Sequence, residues 1–331
     1  MWVSRIQLHN IRSFLAQETS LSKSINIIVG PNNSGKSTIL RGVYLVQEPV
    51  ALKGEDIRLG AANGIVMVTL GGTIEHPYSN VSVLQVDFTK NGVKRKGIKS
   101  NRGEKSPVGS SAKNEPQNFI YPFLSKRKVI AYVENITSNL TNEVRGDLSN
   151  LYAKLDRISN PELPAYIEYT QACDEILGFR VTTTASLQGK KATYIINNFQ
   201  NIPVENMGEG VTNLLGLIVD LCIAENKLFL IEEPENDIHP KALKGLLNLI
   251  AKKAQNNQFI ITTHSNIVMK YLGAQPKSHI IRVSMDFQDR LPTSTIQVVG
   301  NNPEERRAVL EELVTKKLNP CTKNKNIMPE S

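Results

Sequence analysis

The sequence predicts an α/β fold in which helices flank a mixed central sheet, with an antiparallel β subdomain and a short helical arm added. Three observations carry this prediction. The apolar run 25–29 leads directly into the glycine-rich segment Gly30–Ser37, and a helical pattern follows it. Apolar strands and amphipathic helices alternate again after residue 204, which is typical of parallel pairing. Residues 65–88 alternate between apolar and polar side chains, as antiparallel hairpins do.

The segment Gly30–Ser37 fits the pattern G-x-x-x-x-G-K-[ST], a phosphate-binding loop between a strand and a helix. Gly30 and Gly35 allow backbone N–H groups to turn inward on a polyphosphate, and the new helix adds its positive N-terminal end. Lys36 is expected to contact the outer phosphates, and Ser37 to offer its hydroxyl to Mg²⁺. The alternative is an ordinary turn rich in Gly, Asn and Ser. The predicted nucleotide-binding residues of the loop are Gly30, Asn32, Asn33, Ser34, Gly35, Lys36, Ser37 and Thr38.

The first part of the chain is predicted to be mostly strands. Residues 1–29 are predicted to form two strands, with Gln17-Glu18 in the connection between them, and 65–88 to form hairpins beside the core. Residues 89–118 are rich in basic side chains, and we expect a long basic loop there. Its role stays open between contact with nucleic acid or an acidic partner and a solvated hairpin tip. The basic residues concerned are Lys90, Lys94, Arg95, Lys96, Lys99, Arg102, Lys105 and Lys113.

The middle of the chain is predicted to be helical. After a short strand at 129–132, apolar residues recur at helical spacing over 144–158, and a second helix is expected over 164–177. A helix of about 20 residues reaches only about 30 Å, so this pair is a short helical arm rather than a long coiled coil. A hairpin is expected at 181–187 and 194–198.

Beyond residue 204 the apolar pattern predicts a return to the core. The expected elements are a helix at 211–222, a strand at 228–231, a helix at 243–250, a strand at 259–262, and edge strands at 280–283 and 295–299. The polar tail after residue 316 is expected to be disordered.

Two carboxylates, Glu232 and Glu233, follow a deeply apolar strand. Such a strand does not normally end in paired acids without a cation or a water to hold. We expect Glu232 to hold Mg²⁺ and Glu233 to orient or deprotonate an attacking water. The next buried strand leads to His264, which is expected to contact the outermost phosphate. The predicted catalytic residues are therefore Lys36, Glu233 and His264. The alternatives are acids that favour a helix N-terminus and a histidine satisfied by neighbours at a strand end.

Length, charge, cysteine content and the apolar stretches limit the possible domain number, partners and cellular location. The 331 residues allow one large domain or two modest ones, and the net charge of +8 admits an anionic partner. The three cysteines form no C-x-x-C pair, which supports neither a disulfide framework nor a zinc site. No signal peptide is visible, and the longest apolar stretch, 214–224, is too short to span a bilayer. We expect a cytoplasmic protein with no membrane partner.

Four segments together resemble the ABC-type ATPases of the RecF, SMC and OLD group, and the match is closest to the OLD-like members. They are an opening strand at 4–14, the phosphate loop at 30–37, a Walker B and D-loop run at 232–240, and a His switch at 262–265. The resemblance places an ABC signature at 206–211, where Gly208, Glu209 and Gly210 would bind phosphate. Two positions depart from the group, since Met207 replaces the usual serine and Glu232 the usual aspartate. Gln47 is a candidate Q-loop residue.

The resemblance implies an ATPase that uses ATP and Mg²⁺. ATP in this group lies between the phosphate loop of one ATPase domain and the signature of another, so a single set of motifs implies a homodimer or a higher oligomer. The implied regions are an N-terminal ATPase lobe at 1–135, the helical arm at 136–180, a C-terminal lobe at 181–315 and a flexible tail at 316–331.

The expected role is a nucleotide switch that controls a separate effector, in bacterial anti-phage defence. OLD proteins carry a Toprim nuclease, but the residues after His264 contain no D-x-D pair, so we expect no nuclease in this chain. A RecF-like ATPase that binds DNA in repair is the alternative favoured by the basic loop. A transporter subunit would need a serine-containing signature, and a nucleotide kinase would need an arginine-rich lid.

Overall fold

The structure is a computed structural model that describes residues 1–48, 51–72, 81–99, 105–107, 112–124 and 133–300. Its strands are β1 Trp2–Ile11, β2 Phe14–Ser20, β3 Ile25–Val29, β4 Gly64–Gly71, β5 Val81–Thr89, β6 Gly92–Lys99, β7 Lys105–Pro107, β8 Ile120–Phe123, β9 Val181–Ser186, β10 Gly189–Asn197, β11 Gln200–Pro203, β12 Leu228–Glu232, β13 Gln258–Thr263, β14 His279–Gln288 and β15 Leu291–Val299. Its α-helices are α1 Lys36–Tyr44, α2 Ser138–Asn142, α3 Leu151–Ile158, α4 Ala165–Ile176, α5 Glu209–Ile223, α6 Pro240–Lys253 and α7 Asn266–Gly273.

A six-stranded mixed sheet forms the centre of the fold, in the order β15-β14-β3-β13-β12-β8. The strands from β14 to β8 run parallel, and β15 pairs antiparallel with β14. The three strands β3, β12 and β13 are buried along their whole length, which explains why most of their residues are apolar. Their carboxyl ends meet at one edge of the sheet, directly before the phosphate loop, Glu233 and His264. The predicted mixed sheet with flanking helices is confirmed.

Two hydrophobic cores lie on opposite faces of this sheet. Neighbouring side chains along a strand point to opposite faces, and Phe229 accordingly belongs to one core and Leu230 to the other. The first core contains the apolar sides of α3 to α7, and the second contains α1 and the antiparallel sheet. The central sheet is therefore held from both sides.

The antiparallel sheet has the order β2-β1-β4-β5-β6-β7 and contains the predicted pairing of β4 with β5. The prediction of two strands over 1–29 was wrong, because three strands lie there and Gln17-Glu18 belong to β2. The prediction of a long loop over 89–118 was also wrong, since β6 and β7 are strands. Lys96 on β6 reaches Asp87 on β5 at 2.9 Å, so a basic run is compatible with a strand here. Residues 100–104 and 108–111 lie outside the described part.

The helices predicted as an arm are present and short, and they pack against α5 and α6 as part of the first core. The prediction of one helix over 144–158 was wrong at its start, because α3 begins only at Leu151. Leu148 has a left-handed φ of 58°, a conformation that a right-handed helix does not contain. Its side chain is nevertheless buried in the core, which explains the helical spacing of apolar residues.

Some predicted strands lie elsewhere in the sheet order. The segment 129–132 is outside the described residues, and the unpredicted strand β8 pairs with β12. The prediction of an edge strand at 280–283 was wrong, because β14 lies between β3 and β15. The predicted hairpin after α4 is confirmed, with β11 added to β9 and β10. None of the helices in the described ranges is long and apolar enough to cross a bilayer.

Candidate active site

The phosphate loop follows β3 and turns directly into α1. Gly35 has a φ of 105°, which favours glycine strongly. A Cβ atom there would lie 2.8 Å from the Phe14 ring, and one at Gly30 would lie 2.1 Å from the Val283 carbonyl oxygen. Both positions therefore require glycine for close packing. The backbone N–H groups of Lys36 and Ser37 precede the first one that donates within α1, that of Thr38 to the Gly35 carbonyl at 3.0 Å, so these two are available to an anion.

Lys36 lies folded over its own loop. Its Nζ donates hydrogen bonds to the carbonyl oxygens of Gly30 at 3.0 Å and Pro31 at 2.9 Å, and the residue is only 6% exposed. Burial lowers the pKa of Lys36 from 10.5 to about 8, while Glu233, Glu232 and Glu235 oppose that change. A bound phosphate would offer Lys36 a charged acceptor, which makes a stronger hydrogen bond than a neutral carbonyl.

The paired acids lie at the end of β12, next to the phosphate loop. Glu232 is the last strand residue, pairs in register with Thr262 on β13, and is 6% exposed. Glu233 follows in a left-handed conformation with a φ of 48°, while its backbone N–H still donates to the Thr262 carbonyl at 2.9 Å. A non-glycine residue in this conformation costs about 1–2 kcal/mol.

The side chain of Glu233 contacts the predicted His switch. Its Oε1 lies 3.0 Å from Nε2 of His264, and its Oε2 accepts a hydrogen bond from Nδ2 of Asn236 at 2.7 Å. The side chains of Glu233 and His264 are each about one quarter exposed, so water reaches them. The structure thus brings together Lys36, Glu233 and His264, the three predicted catalytic residues, around the ends of β3, β12 and β13.

Sequence reasoning gave Glu235 no role, yet it links the two strand ends. Its Oε1 accepts hydrogen bonds from Oγ1 of Thr263 at 2.7 Å and from the backbone N–H of His264 at 2.8 Å. The carboxylate thereby fastens the turn after β12 to the turn after β13. The available signal was the run of polar residues, Thr262 to Ser265, that follows the apolar part of β13.

Buried polar atoms without a hydrogen bond test whether this region suits a ligand. Within the described residues, Oγ of Ser34, Oγ1 of Thr262 and Oε2 of Glu235 are buried and have no such partner. Buried polar groups normally have partners, so these atoms favour a polar ligand near the loop. Together with the glycine cradle and the buried carboxylate of Glu232, they fit a nucleotide and a hydrated Mg²⁺, which keeps few protein ligands.

The predicted signature lies at the start of α5, with Gly208 at the N-cap. A Cβ atom at Gly208 would meet nothing within 4 Å, whereas one at Gly210 would lie 2.3 Å from the Asp237 carbonyl oxygen. Gly210 therefore allows α5 to pack against the D-loop of its own chain, and Gly208 faces open space. Met207 is partly buried against the first core, which accounts for an apolar residue in place of serine.

Gln47 is 2% exposed and holds the start of β8. Its Nε2 donates to the carbonyl oxygen of Ile120 at 3.0 Å, and its Oε1 accepts from the backbone N–H groups of Phe119 and Ile120. These bonds fasten an edge strand to the end of the α1 segment.

Comparisons with known families match both halves of the chain. The family described as "AAA ATPase domain" matches residues 1–50, which include the phosphate loop. The family described as "AAA domain, putative AbiEii toxin, Type IV TA system" matches residues 155–270, which include the signature, the paired acids and His264. The segment 51–154 between the two matches contains β4 to β8, α2 and the first turn of α3.

Curated relatives match parts of the chain. The DNA double-strand break repair Rad50 ATPase of Methanopyrus kandleri is 33% identical over 23% of this chain, and the Retron Vc95 probable ATPase of Vibrio cholerae is 26% identical over 35%. Endonuclease GajA of Bacillus cereus is 28% identical over 54% of the chain. The matched segments cover only 9%, 25% and 29% of these relatives' own lengths.

The fold has close structural relatives. An SMC head bound to the C-winged helix domain of ScpA superimposes with a TM-score of 0.65 at 15% identity, over 92% of this chain and 99% of that one. The phosphate loop, the paired acids and the strand-end histidine occur here within that fold. The chain therefore has the fold of the SMC head domains, and two of its segments are similar to AAA ATPase domains.

Proposed function

We propose that this chain binds and hydrolyses ATP, dimerises around it, and uses its nucleotide state to control a separate effector. The observation that carries the proposal is the placement of Glu233, whose carboxylate lies between His264 and Asn236 beside the phosphate loop. A carboxylate held there is suited to orient a water and to take its proton as the water oxygen attacks the γ-phosphorus. The bond from that phosphorus to the bridging oxygen breaks, and ADP leaves.

The other residues of the site stabilise charge. Lys36 and the first N–H groups of α1 would bind the phosphate oxygens, and His264 is close enough to Glu233 to share a hydrogen bond with it. Ser37 and Glu232 would hold Mg²⁺, which supplies positive charge to the same oxygens. No step requires an acceptor other than water.

Dimerisation is proposed because the chain has one phosphate loop and one signature. The open space around Gly208 supports this, since a second subunit could present its nucleotide there without displacing side chains. Two identical subunits related by a twofold axis would then complete two sites.

Substitution of Glu233 by glutamine tests hydrolysis directly. We expect Glu233→Gln to bind ATP and to lose turnover by at least about 100-fold, because an amide takes up no proton. Lys36→Ala should instead weaken ATP binding. Equilibrium nucleotide binding and phosphate release measure the two effects separately.

Glu225→Gln is the matched control, because Glu225 is an exposed carboxylate before the opposite end of β12. It should behave as the parent. Turnover at the parental rate in Glu233→Gln would contradict the assigned role of Glu233.

The effector is proposed from two relatives, a retron ATPase and the endonuclease GajA, and the proposed setting is bacterial anti-phage defence. Glu233→Gln should stay in the ATP-bound form, and Lys36→Ala in the free form. A protein retained by only one of these two baits in affinity purification from the native cells would be the nucleotide-controlled effector. Identical sets of proteins on both baits would contradict control by nucleotide.

A second candidate is a DNA-binding ATPase for repair, favoured by the Rad50 and RecF relatives and by the basic strand β6. A gel-shift series at increasing salt tests it. Affinity that falls steeply with salt indicates contacts with phosphates, and no binding at low salt excludes this candidate.

A further inference from the structure

Glu235 connects two turns of the site: the turn after β12, which carries Glu233, and the turn after β13, which carries His264. It is two residues beyond Glu233, in the turn after β12, but its hydrogen bonds go to the turn after β13. One oxygen, Oε1, accepts both of them, from Oγ1 of Thr263 and from the backbone N–H of His264.

Hydrogen bonds hold the turn after β13 at three consecutive residues, Thr263, His264 and Ser265. Oγ1 of Thr263 also accepts from the backbone N–H of Ser265 at 2.8 Å, and Oγ of Ser265 caps α7 by accepting from the N–H of Ile267. His264 is the central residue of this turn, and its ring reaches Glu233 at 3.0 Å. The backbone position of His264 therefore depends on Glu235, and the position of its ring depends on its backbone.

The contact with the turn after β13 uses Oε1 alone, as an acceptor. Oε2 is buried and makes no hydrogen bond among the described residues. A glutamine at this position can keep an oxygen where Oε1 lies, while it loses the charge and replaces Oε2 by an NH₂ group. An aspartate keeps the charge but withdraws the acceptor by one methylene group.

We propose that Glu235 is the positioning residue of His264, holding its backbone so that Nε2 meets the carboxylate of Glu233. The inference rests on the proposed ATPase function, in which that contact orients the water-binding carboxylate. Glu235 itself touches neither water nor phosphate in this role. What it supplies is an oxygen atom at a fixed place.

Two substitutions separate position from charge. We expect Glu235→Gln to keep most of the parental turnover, and Glu235→Asp to lose about 10- to 100-fold in kcat with unchanged affinity for ATP. Thermal unfolding of both variants checks that the fold is retained. Any other pairing, in which glutamine loses turnover or aspartate keeps it, overturns the proposal.

A double variant tests whether Glu235 acts through His264. His264→Ala removes the ring, so adding Glu235→Asp to it should change kcat no further. A further loss of the same size as in the parental background would show an independent role and overturn the inference.

A measurement without nucleotide distinguishes failure of this inference from failure of the proposed function. The amide proton of His264 should exchange with solvent faster in Glu235→Asp than in the parent, and at the parental rate in Glu235→Gln. If the parent hydrolyses no ATP, the proposed function fails, and the exchange rates still decide the role of Glu235. Equal exchange in all three proteins overturns it.

Discussion

Lys36 is held by its own phosphate loop, and the acids at the end of β12 affect its charge. Its ammonium group is buried against two neutral carbonyl oxygens, and burial lowers its pKa to about 8. Three carboxylates, those of Glu233, Glu232 and Glu235, favour the charged form but do not restore the usual value. The loop therefore holds a lysine that loses its proton around pH 8, well below the usual range.

The affinity for ATP should depend on pH through this lysine. Phosphate binds the charged form, so we expect the affinity of the parent to fall by up to about tenfold per pH unit as the pH rises above about 8. Lys36→Ala should bind ATP more weakly and show no such decline. Isothermal titration over this range measures both proteins, and a flat profile for the parent would contradict the assigned environment of Lys36.

Lys36 also determines the direction in which the free energy of unfolding, measured without nucleotide, changes with pH. Between about pH 8 and 10.5 the unfolded chain binds more protons at Lys36 than the folded chain does. The contribution of Lys36 to the free energy of unfolding therefore rises with pH across this window.

Among the elements, α5 is tied to α3 by a buried ionic cluster. Nζ of Lys154 lies 2.5 Å from Oδ1 of Asp220 on α5 and 3.5 Å from Oε1 of Glu115, and Arg157 also pairs with Glu115. The side chains of Lys154 and Asp220 are about 5% exposed. Burial raises the pKa of Asp220, and the charge of Lys154 opposes this. The helix that begins at the predicted signature is thus anchored by charge near its C-terminal end.

Removal of one partner should destabilise this region strongly. We expect Lys154→Met to lower the free energy of unfolding by about 3–5 kcal/mol, because Asp220 is left as a buried charge without its cation. Adding Asp220→Asn should recover most of the loss, since no uncompensated charge remains at that position. Urea unfolding measures both variants, and a loss below about 1 kcal/mol in the single variant would contradict the burial of this pair.

At the scale of elements, the sequence predicted the strands and loops of the site best. Runs such as 228–232 are apolar because both faces are covered, and the residues after parallel strands meet at one edge. Strand β8 was missed because it has four residues and pairs with a distant partner. The start of α3 was misplaced because Leu148 is buried from a left-handed turn. The bonds of Glu235 were not predictable, because they join residues that only the sheet order brings together.

At the scale of the whole molecule, the phosphate loop and the predicted signature lie at the starts of two different helices. The phosphate loop lies before α1, and the signature lies at the start of α5, where Gly208 faces open space. Gly210 packs against Asp237, in the segment that follows Glu233, so a shift of the predicted signature would be felt by that segment of the same subunit. In the proposed dimer, each bound nucleotide would contact residues of both subunits.

Two inactive variants mixed together test the shared site most directly. Lys36→Ala disables the phosphate loop, and Gly208→Asp places a negative charge where the partner's phosphate would bind, at an N-cap position where aspartate is favourable. Each variant alone should be inactive. Randomly mixed dimers would contain one intact site in half of all pairs, so an equimolar mixture should regain about one quarter of the parental ATPase rate. No activity in a mixture that exchanges subunits would contradict a nucleotide site shared between two chains.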